Sequence, residues 1–169
     1  QESVRSQARE MLGADLAITS GTPFSERAEA LAKELETQAG AVARARVISF
    51  VAMVYAPQGA GSRLVQVEAY EPGFPFYGEI ETDPAEAFAN LSEGGAVVDP
   101  ALLSQLGVKV GDAVALGESR LTIRGTIVRV PGDVSVRVAM GPRIFIDLGK
   151  VKETGLVIFG SRGRHELFF

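Results

Sequence analysis

The sequence predicts an α+β fold in which a mixed α/β part is interrupted by a small β-rich insertion, and three observations lead to this class. Apolar residues recur at helical spacing in two segments before residue 40. Runs rich in β-branched and aromatic residues follow at 43–55 and 63–70 and are typical of strands. From residue 96 onward, short strand patterns alternate closely with glycine turns, which is typical of a small β-barrel or sandwich.

Composition limits the size and the class of the protein. The chain has 169 residues, of which 46% are hydrophobic and 22% charged; this balance fits one ordinary domain or two very small ones and excludes a disordered chain. Lys and Arg number 17 and Asp and Glu 21, which gives a net charge of −4. The basic surplus of a nucleic-acid-binding protein is missing, so we expect no nucleic-acid partner. The chain has no cysteine, which excludes disulfides and thiolate metal sites.

Residues 1–12 are predicted to form the end of a helix. Val4 and Ala8 lie one turn apart on its apolar side, and Gly13 supplies the stop. No N-cap residue precedes this pattern, as if the helix began further upstream. A short strand is expected directly after it, at 15–18.

A second helix is predicted between Thr22 and Gly40. Thr22 is the expected N-cap, Pro23 the expected first helical residue, and Gly40 the expected stop. An apolar stripe along this helix predicts that it packs on a sheet. The stripe consists of Ala28, Leu31, Ala32, Leu35 and Ala39.

The middle of the chain is predicted to form a hairpin followed by a stiff loop. A turn at 57–62 joins the two strand patterns named above. Residues 71–78 then read Glu-Pro-Gly-Phe-Pro-Phe-Tyr-Gly, an aromatic loop that its two prolines stiffen. A short helix is expected near 84–91, ended by Gly94 and Gly95.

The change in composition and in turn spacing predicts an insertion at 84–140, so that 1–83 and 141–169 together form the other subdomain. Within the insertion, Asp99 and Pro100 are expected to begin a short helix. The strands expected in the insertion are 96–98, 113–116, 121–130 and 134–140. The return to the first sheet is expected through a strand at 143–147, a helix at 148–154 and a last strand at 164–168.

No arrangement of residues predicts catalysis. Gly59 and Gly61 lack the third glycine and the following helix of a nucleotide-binding loop, and no Walker lysine motif occurs. Ser161 and His165 lie four residues apart, too far along a strand for proton transfer, and the Gly-x-Ser-x-Gly elbow is missing. The acidic run 79–83 lacks the ligand spacing of a calcium loop. We therefore expect no enzyme activity, no cofactor and no metal site.

Four segments in sequence order carry a resemblance to a known family. They are 14–18 (Ala-Asp-Leu-Ala-Ile), 74–78 (Phe-Pro-Phe-Tyr-Gly), 103–114, and Thr154-Gly155-Leu156 followed by Gly160-Ser161-Arg162. With them the whole chain resembles the first large extracytoplasmic domain of an FtsX-like (MacB-type) ABC transporter permease, and the YbbP-type permeases are the most similar group. The Gly-Leu and Gly-Ser-Arg signature is the most specific of the four.

The resemblance implies a fold that periodicity alone does not name. Members of the family carry a periplasmic core domain with a mixed α/β porter subdomain, here 1–83 with 141–169, and an inserted β-rich sabre subdomain, here 84–140. The resemblance also implies that the helix at 1–12 continues a transmembrane helix. The expected location is therefore the periplasmic (extracytoplasmic) side of an inner membrane.

The resemblance further implies a transport role without catalysis in this domain. A separate cytoplasmic ATPase would hydrolyse ATP, and membrane-helix motion would drive export or extraction of hydrophobic or lipid-like molecules or act on a periplasmic partner, such as an esterase-like protein. A permease dimer is expected. An apolar sheet edge left open after Phe169 would also favour pairing of two copies of the isolated chain.

Phe74, Phe76 and Tyr77 are the candidate site residues. An exposed aromatic loop is a surface that an apolar cargo or a partner would touch; in the alternative, the loop packs onto its own domain. A second alternative concerns the whole chain: a free-standing small-molecule or lipid-binding protein, which would need a deep apolar pocket.

Overall fold

The computed structural model describes residues 2–38, 40, 43–58, 61–132, 141–156 and 162–169. In these residues the α-helices are α1 (Glu2–Leu12), α2 (Glu26–Gln38), α3 (Pro100–Leu106) and α4 (Val151–Thr154). The strands are β1 (Ala17–Ser20), β2 (Ala45–Tyr55), β3 (Ser62–Tyr70), β4 (Glu81–Asp83), β5 (Gly95–Val98), β6 (Ala113–Leu116), β7 (Ser119–Arg129), β8 (Arg143–Asp147) and β9 (Arg164–Phe168). Short 3-10 turns lie at Leu91–Glu93 and Leu148–Lys150.

Six strands close into a barrel. Around the ring, β2 pairs with β3, β3 with β8, β8 with β5, β5 with β7, and β7 with β6. The ring closes where β6 pairs antiparallel with the end of β2, with Val54 opposite Leu116 and Tyr55 opposite Ala115. The β3–β8 and β5–β7 pairs are parallel. Closure gives each ring strand a partner on both edges, which an open sheet cannot do.

The other three strands extend this ring. β9 pairs with residues 45–49 of β2, β1 pairs with β9, and β4 pairs with β7. Strand β2 is 11 residues long. One of its edges pairs with β3 over most of its length; its other edge pairs with β9 at residues 45–49 and with β6 at residues 54–55. Strand β2 therefore belongs both to the barrel and to a short open sheet, β1–β9–β2.

Two cores follow from this arrangement, because successive residues of a strand point to opposite faces. In β8, Ile144 and Ile146 belong to the inner core of the barrel, whereas Phe145 between them belongs to an outer core. The inner core consists of Phe50, Ala52, Val54, Ala56, Val65, Val67, Ala69, Ala96, Val98, Leu102, Leu106, Val108, Val114, Leu116, Leu121, Ile123, Ile144, Ile146 and Val151. The outer core consists of Ala14, Val47, Tyr70, Ile80, Ala87, Leu91, Val97, Ile127, Phe145 and Phe168.

Helix α1 forms where the sequence predicts it and ends at Gly13, which has a φ of +71°. The strand expected at 15–18 lies two residues further on, as β1. The start of α2 was predicted wrongly at Thr22 and Pro23. The N-cap is Ser25, whose Oγ accepts a hydrogen bond from the N–H of Ala28 (3.2 Å), whereas the N–H of Thr22 donates to Ser20 Oγ in the preceding turn (3.2 Å).

The apolar stripe of α2 packs on the sheet only in part. Ala32 is buried, but Leu31 and Leu35 of the predicted stripe are 54% and 41% exposed. An ion pair between Glu29 and Arg46 (2.6 Å) holds the helix to β2. Ala39 lies outside the described residues.

The helix expected at 84–91 is wrong. Residues 84–90 form turns and lead into the 3-10 turn at Leu91–Glu93. The hydroxyl of Thr82 donates to the carbonyl oxygen of Pro84 (2.7 Å) and lies within reach of that of Ala85 (3.3 Å). These carbonyls would be the first acceptors of a helix, and side-chain bonds of this kind compete with helix formation.

The rest of the expected order is confirmed in the described residues. Helix α3 has Asp99 at its N-cap, Pro100 at its first position and Gly107 at its end with a φ of +64°. In the turn before β6, Asp112 accepts a hydrogen bond from the N–H of Lys109 (3.0 Å), and this bond lowers the pKa of its carboxyl. Strand β4 was not predicted. The strand expected at 134–140 lies outside the described residues.

The fold class is α+β, as the sequence predicts. Strands from 84–140 pair with strands from the rest of the chain in one mixed sheet, β5 with β8 and β6 with β2. The division into 1–83 with 141–169 and an inserted 84–140 stays a prediction. In the described part of the chain, none of the helices combines the length and the apolar character needed to cross a bilayer.

The closure of the barrel gives a first prediction. Leu116 is fully buried at the β6–β2 closure, whereas Leu64 on β3 is 55% exposed. We expect Leu116→Ala to lower the free energy of unfolding in urea by about 2–5 kcal/mol. Leu64→Ala removes the same atoms from the surface and should change it by less than about 0.5 kcal/mol. Equal losses in the two variants would contradict the closed barrel.

Candidate functional site

Helix α1 meets the rest of the protein at its C-terminal end, in a contact that we call the α1 joint; it is formed by Arg9, Gly13, Asp15, Phe76 and Tyr77. Every described side chain of α1 is exposed, whereas Gly13 is buried. The carbonyl oxygen of Gly13 accepts hydrogen bonds from the N–H of Phe76 (2.8 Å) and of Tyr77 (3.3 Å). The aromatic loop is therefore bonded to the residue at which α1 ends.

Charged and aromatic side chains reinforce the α1 joint. Arg9 Nε lies 2.7 Å from Asp15 Oδ1, and the Tyr77 hydroxyl donates to Asp15 Oδ2 (2.8 Å). The guanidinium of Arg9 also stands over the Tyr77 ring, 5.6 Å from its centre. The hydrogen bond to Asp15 raises the pKa of the Tyr77 phenol above its ordinary value. Arg9, Asp15 and Tyr77 therefore link the last turns of α1 to the loop.

The α1 joint is closely packed around glycines. A Cβ added to Gly13 would lie 2.9 Å from Pro75 Cβ and 3.0 Å from Phe74 Cζ. On the other side, a Cβ at Gly132 would overlap the carbonyl oxygen of Met11. The end of α1 is therefore held between the aromatic loop and the turn that follows β7.

The aromatic loop is anchored in the outer core. The ring centre of Phe74 lies 4.4 Å from that of Phe168 and 5.7 Å from that of Tyr70, on which it stacks. Phe76 meets Phe74 edge to face at 6.2 Å. Tyr70 in turn meets Phe145 of β8 edge to face at 5.2 Å. A continuous set of ring contacts thus leads from the loop to β8 and β9.

The structure brings the three predicted site residues together. Phe74, Phe76 and Tyr77 are half-buried, and all three pack against their own domain. Their contact with a cargo or a partner stays a prediction. Sequence reasoning missed Arg9 and Asp15; the available signal was a basic and an acidic residue on either side of the glycine that ends a helix.

A narrow groove of about 140 Å³ runs beside the α1 joint, between the end of α1 and the outer faces of β2, β3 and β9. Glu68 lies in it and is 4% exposed; the Tyr70 hydroxyl donates to its Oε2 (2.6 Å). Arg164 pairs with Glu166 (2.9 Å) in the same groove. These charged groups have partners within the fold and stabilise it.

The serine–histidine pair considered in the sequence offers no reactive site in the described residues. Ser161 lies outside them. His165 in β9 is 3% exposed, and neither ring nitrogen has a hydrogen-bond partner among the described residues. Burial is the main cause that lowers the pKa of this imidazole, and the nearby Arg46 adds to it. His165 is therefore held as a neutral side chain inside the protein.

The acidic run 79–83 is partly engaged in the fold. Glu81 pairs with Arg129 of β7 (2.9 Å), and residues 81–83 form β4. Within the described ranges, no group of three or more acidic or histidine side chains is placed to hold a metal ion.

Sequence comparison finds a relative among ABC transporter permeases. The uncharacterized ABC transporter permease YbbP of Escherichia coli (strain K12) is 28% identical over 162 residues, which cover 96% of this chain and 19% of the relative. The chain therefore spans about a fifth of the length of this relative. No protein-family profile matches the chain.

Two solved structures have a similar fold. The extracellular domain of the ABC-type transporter YknZ from Gram-positive bacteria superimposes with a TM-score of 0.58 at 10% identity, over 90% of this chain and 82% of that one. The periplasmic region of MacB from Actinobacillus actinomycetemcomitans gives a TM-score of 0.53 at 12% identity, over 96% of this chain and 79% of that one.

These comparisons confirm the resemblance that the sequence predicts. The chain is similar in sequence to an ABC transporter permease and has an α+β fold similar to those of the extracellular domain of YknZ and the periplasmic region of MacB. The predicted extracytoplasmic location agrees with the regions to which these two structures belong.

The close packing at the α1 joint gives a second prediction. Gly13 and Gly94 have nearly the same φ, +71° and +74°, but only Gly13 has atoms where a Cβ would stand. Gly94→Ala should lower the free energy of unfolding by about 1–2 kcal/mol through backbone strain alone. Gly13→Ala adds overlap with Phe74 and Pro75, so we expect a loss of about 2–5 kcal/mol. The measurement is urea unfolding of both variants; the same loss in both would show that the loop does not press on Gly13.

The buried histidine gives a third prediction. The pKa of His165 in the folded protein lies below the ordinary value of 6.5. Between these two pH values the unfolded chain binds a proton that the folded chain does not. This contribution to stability is complete above pH 6.5 and is lost as the pH falls from there through the folded pKa, at up to about 1.4 kcal/mol per pH unit.

The matched variant is His165→Leu, which leaves no hydrogen-bond partner stranded, since the ring nitrogens have none among the described residues. We expect its stability to fall less steeply than that of the native chain between pH 6.5 and pH 5 when both are unfolded in urea. Parallel curves would show that the imidazole is not buried in the neutral form.

Proposed function

We propose that this chain is the extracytoplasmic domain of an ABC transporter permease, and that α1 carries movement between the membrane part of the permease and the sheet. The observation that carries the proposal is the way α1 is attached. Its side chains are exposed along its length, and its end is fixed by hydrogen bonds, an ion pair and close packing at the α1 joint. A helix held in this way can act as a lever.

Contacts beyond the joint support this role. A displacement of Gly13 must move the aromatic loop, since the backbone of Phe76 and Tyr77 is bonded to its carbonyl oxygen. Phe74 in the same loop is packed on Phe168 and Tyr70. Densely packed interiors transmit displacement with little compression. Movement of α1 would therefore reach the sheet as movement of one body.

The proposal assigns the chemistry to other subunits. ATP would be hydrolysed by a separate cytoplasmic ATPase, which would drive the membrane helices of a permease dimer. The outcome would be export or extraction of hydrophobic or lipid-like molecules, or an action on a periplasmic partner such as an esterase-like protein. Phe74, Phe76 and Tyr77 are half-buried, and their exposed ring edges are the surface that such a cargo or partner would contact.

The alternative is a free-standing small-molecule or lipid-binding protein. Such a protein would hold its ligand in a deep apolar pocket, and the interior of the barrel is where we would expect that pocket. The inner core fills that space with side chains such as Leu102, Leu121 and Ile146, all of which are fully buried. This packing favours the permease domain over the alternative.

A glycine insertion tests the proposal in the full-length permease with its ATPase, reconstituted in lipid. A fluorophore on Val128→Cys, a site that is 61% exposed, reports the distance to quencher-labelled lipids. We expect ATP to change the quenching, and a short glycine insertion after Leu12 to abolish this change because it separates α1 from Gly13, to which the loop is bonded.

The control is the same insertion after Gly40, near which nothing lies within 4 Å of an added Cβ. It should leave the nucleotide-dependent quenching intact, and both variants should keep the ATPase rate. An unchanged response after the insertion at Leu12 would refute the lever role of α1. A parent gene without apolar stretches of about twenty residues on either side would refute the permease assignment itself.

A further inference from the structure

A groove of about 350 Å³ lies on the far side of the aromatic loop, at the carboxyl ends of the parallel strands β3 and β8. We call it the β3–β8 groove. Tyr70, Phe74 and Phe88 line it, and Glu71 and Asp147 stand where the two strands end. It shares Phe74 with the aromatic loop, but its two acidic residues have no part in the transport role or the α1 joint.

The groove carries two oriented carboxylates. Glu71 Oε2 accepts a hydrogen bond from the N–H of Arg46 (2.7 Å), and Asp147 Oδ1 accepts one from the N–H of Gly149 (2.8 Å). The second oxygen of each carboxylate has no partner among the described residues. Each acid is therefore held in place by the backbone and keeps one oxygen for a ligand.

Among the described residues, no cation offsets these charges within the groove. Its lining contains no lysine or arginine. Two neighbouring basic side chains are bound elsewhere. Arg46, whose backbone N–H bonds Glu71, pairs through its guanidinium with Glu29 (2.6 Å), and Lys150, three residues after Asp147, pairs with Glu153 (3.0 Å). The groove is therefore negative, and its complement is a positively charged group.

Aromatic rings form the inner wall of the groove. Phe88 meets Tyr70 edge to face, with ring centres 5.2 Å apart, and Phe74 stacks on Tyr70 at 5.7 Å. Aromatic rings attract cations that bear apolar groups, because the cation gains from the ring quadrupole and loses little hydration. A compact hydrated cation such as sodium would not use these rings.

We propose that the β3–β8 groove binds a substituted ammonium ion, with the charged nitrogen between Glu71 and Asp147 and its alkyl groups against Phe74 and Phe88. The ion can be a free small amine or the ammonium headgroup of a lipid, which present the same chemistry. The inference does not depend on the permease assignment, because it concerns a groove of the isolated chain.

The first experiment titrates the chain with choline and follows backbone amide shifts by NMR. Shifts should concentrate at 70–74, 88–92 and 147. The uncharged tert-butyl analogue of choline has the same shape and should bind at least about tenfold more weakly, which corresponds to the loss of one charge interaction. Equal affinity for the charged and uncharged ligands would overturn the proposal.

Variants that keep the fold then test the residues. Asp147→Asn and Glu71→Gln retain the oxygen that accepts the backbone N–H and lose the charge, so each should weaken choline binding by about three- to tenfold. Phe88→Leu should weaken it by about two- to fivefold. Glu34→Gln on α2 makes the same change of net charge and should have no effect; if it weakens binding as much as Asp147→Asn, binding is non-specific and the proposal fails.

Vesicles separate the two sources of the ammonium group. Binding to phosphatidylcholine vesicles, but not to phosphatidylglycerol vesicles, that is lost in Asp147→Asn would identify a lipid headgroup. Binding of soluble choline without binding to either vesicle would identify a free amine. If the lever role of α1 is refuted, the choline and vesicle results are unaffected. The lever proposal and the groove proposal can therefore be refuted separately.

Discussion

The closure of the barrel, by two residue pairs between β6 and the end of β2, is the constraint on which the rest of the structure depends. Val54 and Leu116 meet there, and both are fully buried. Once the ring is closed, the inner core is shielded on every side and each strand must point alternate residues inward. If the pairing of β8 shifted by one residue, Phe145 would point into the inner core, and Ile144 and Ile146 would point to its outside. Closure therefore fixes the register of the strands that carry the aromatic residues.

The outer core explains why the α1 joint exists where it does. Closing the ring leaves apolar residues such as Val97 and Phe145 on its outside, and these need a cover. The aromatic loop supplies Phe74, and the segment that follows Gly13 supplies Ala14. The attachment of α1 is thus part of the packing of the barrel, and the helix cannot be moved at its end without disturbing buried rings.

Local chemistry made much of the fold predictable from the sequence. Asp99, Pro100 and Gly107 define α3 by capping rules alone, and β-branched runs define β2 and β3. Errors arose where two local signals compete: Ser25 rather than Thr22 caps α2, and the hydroxyl of Thr82 competes for the carbonyl oxygens at the start of the expected helix 84–91. The ring itself could not be predicted, since pairings such as Val54 with Leu116 join residues far apart in sequence. The aromatic loop was identified because its three aromatic residues are close in sequence. The bonds of Phe76 and Tyr77 to Gly13 and Asp15 were not predicted, since about sixty residues separate these partners.

The α1 joint and the β3–β8 groove lie on two sides of one loop, and this position limits how they can influence each other. Phe74 lines the groove and also stands 3.0 Å from where a Cβ of Gly13 would be. A ligand shifts an equilibrium only by the difference in its affinity for the two states. With Phe74 packed at 4.4 Å on Phe168, there is little space for the ring to swing between two positions. A ligand in the groove would therefore stabilise the existing joint rather than reorient α1.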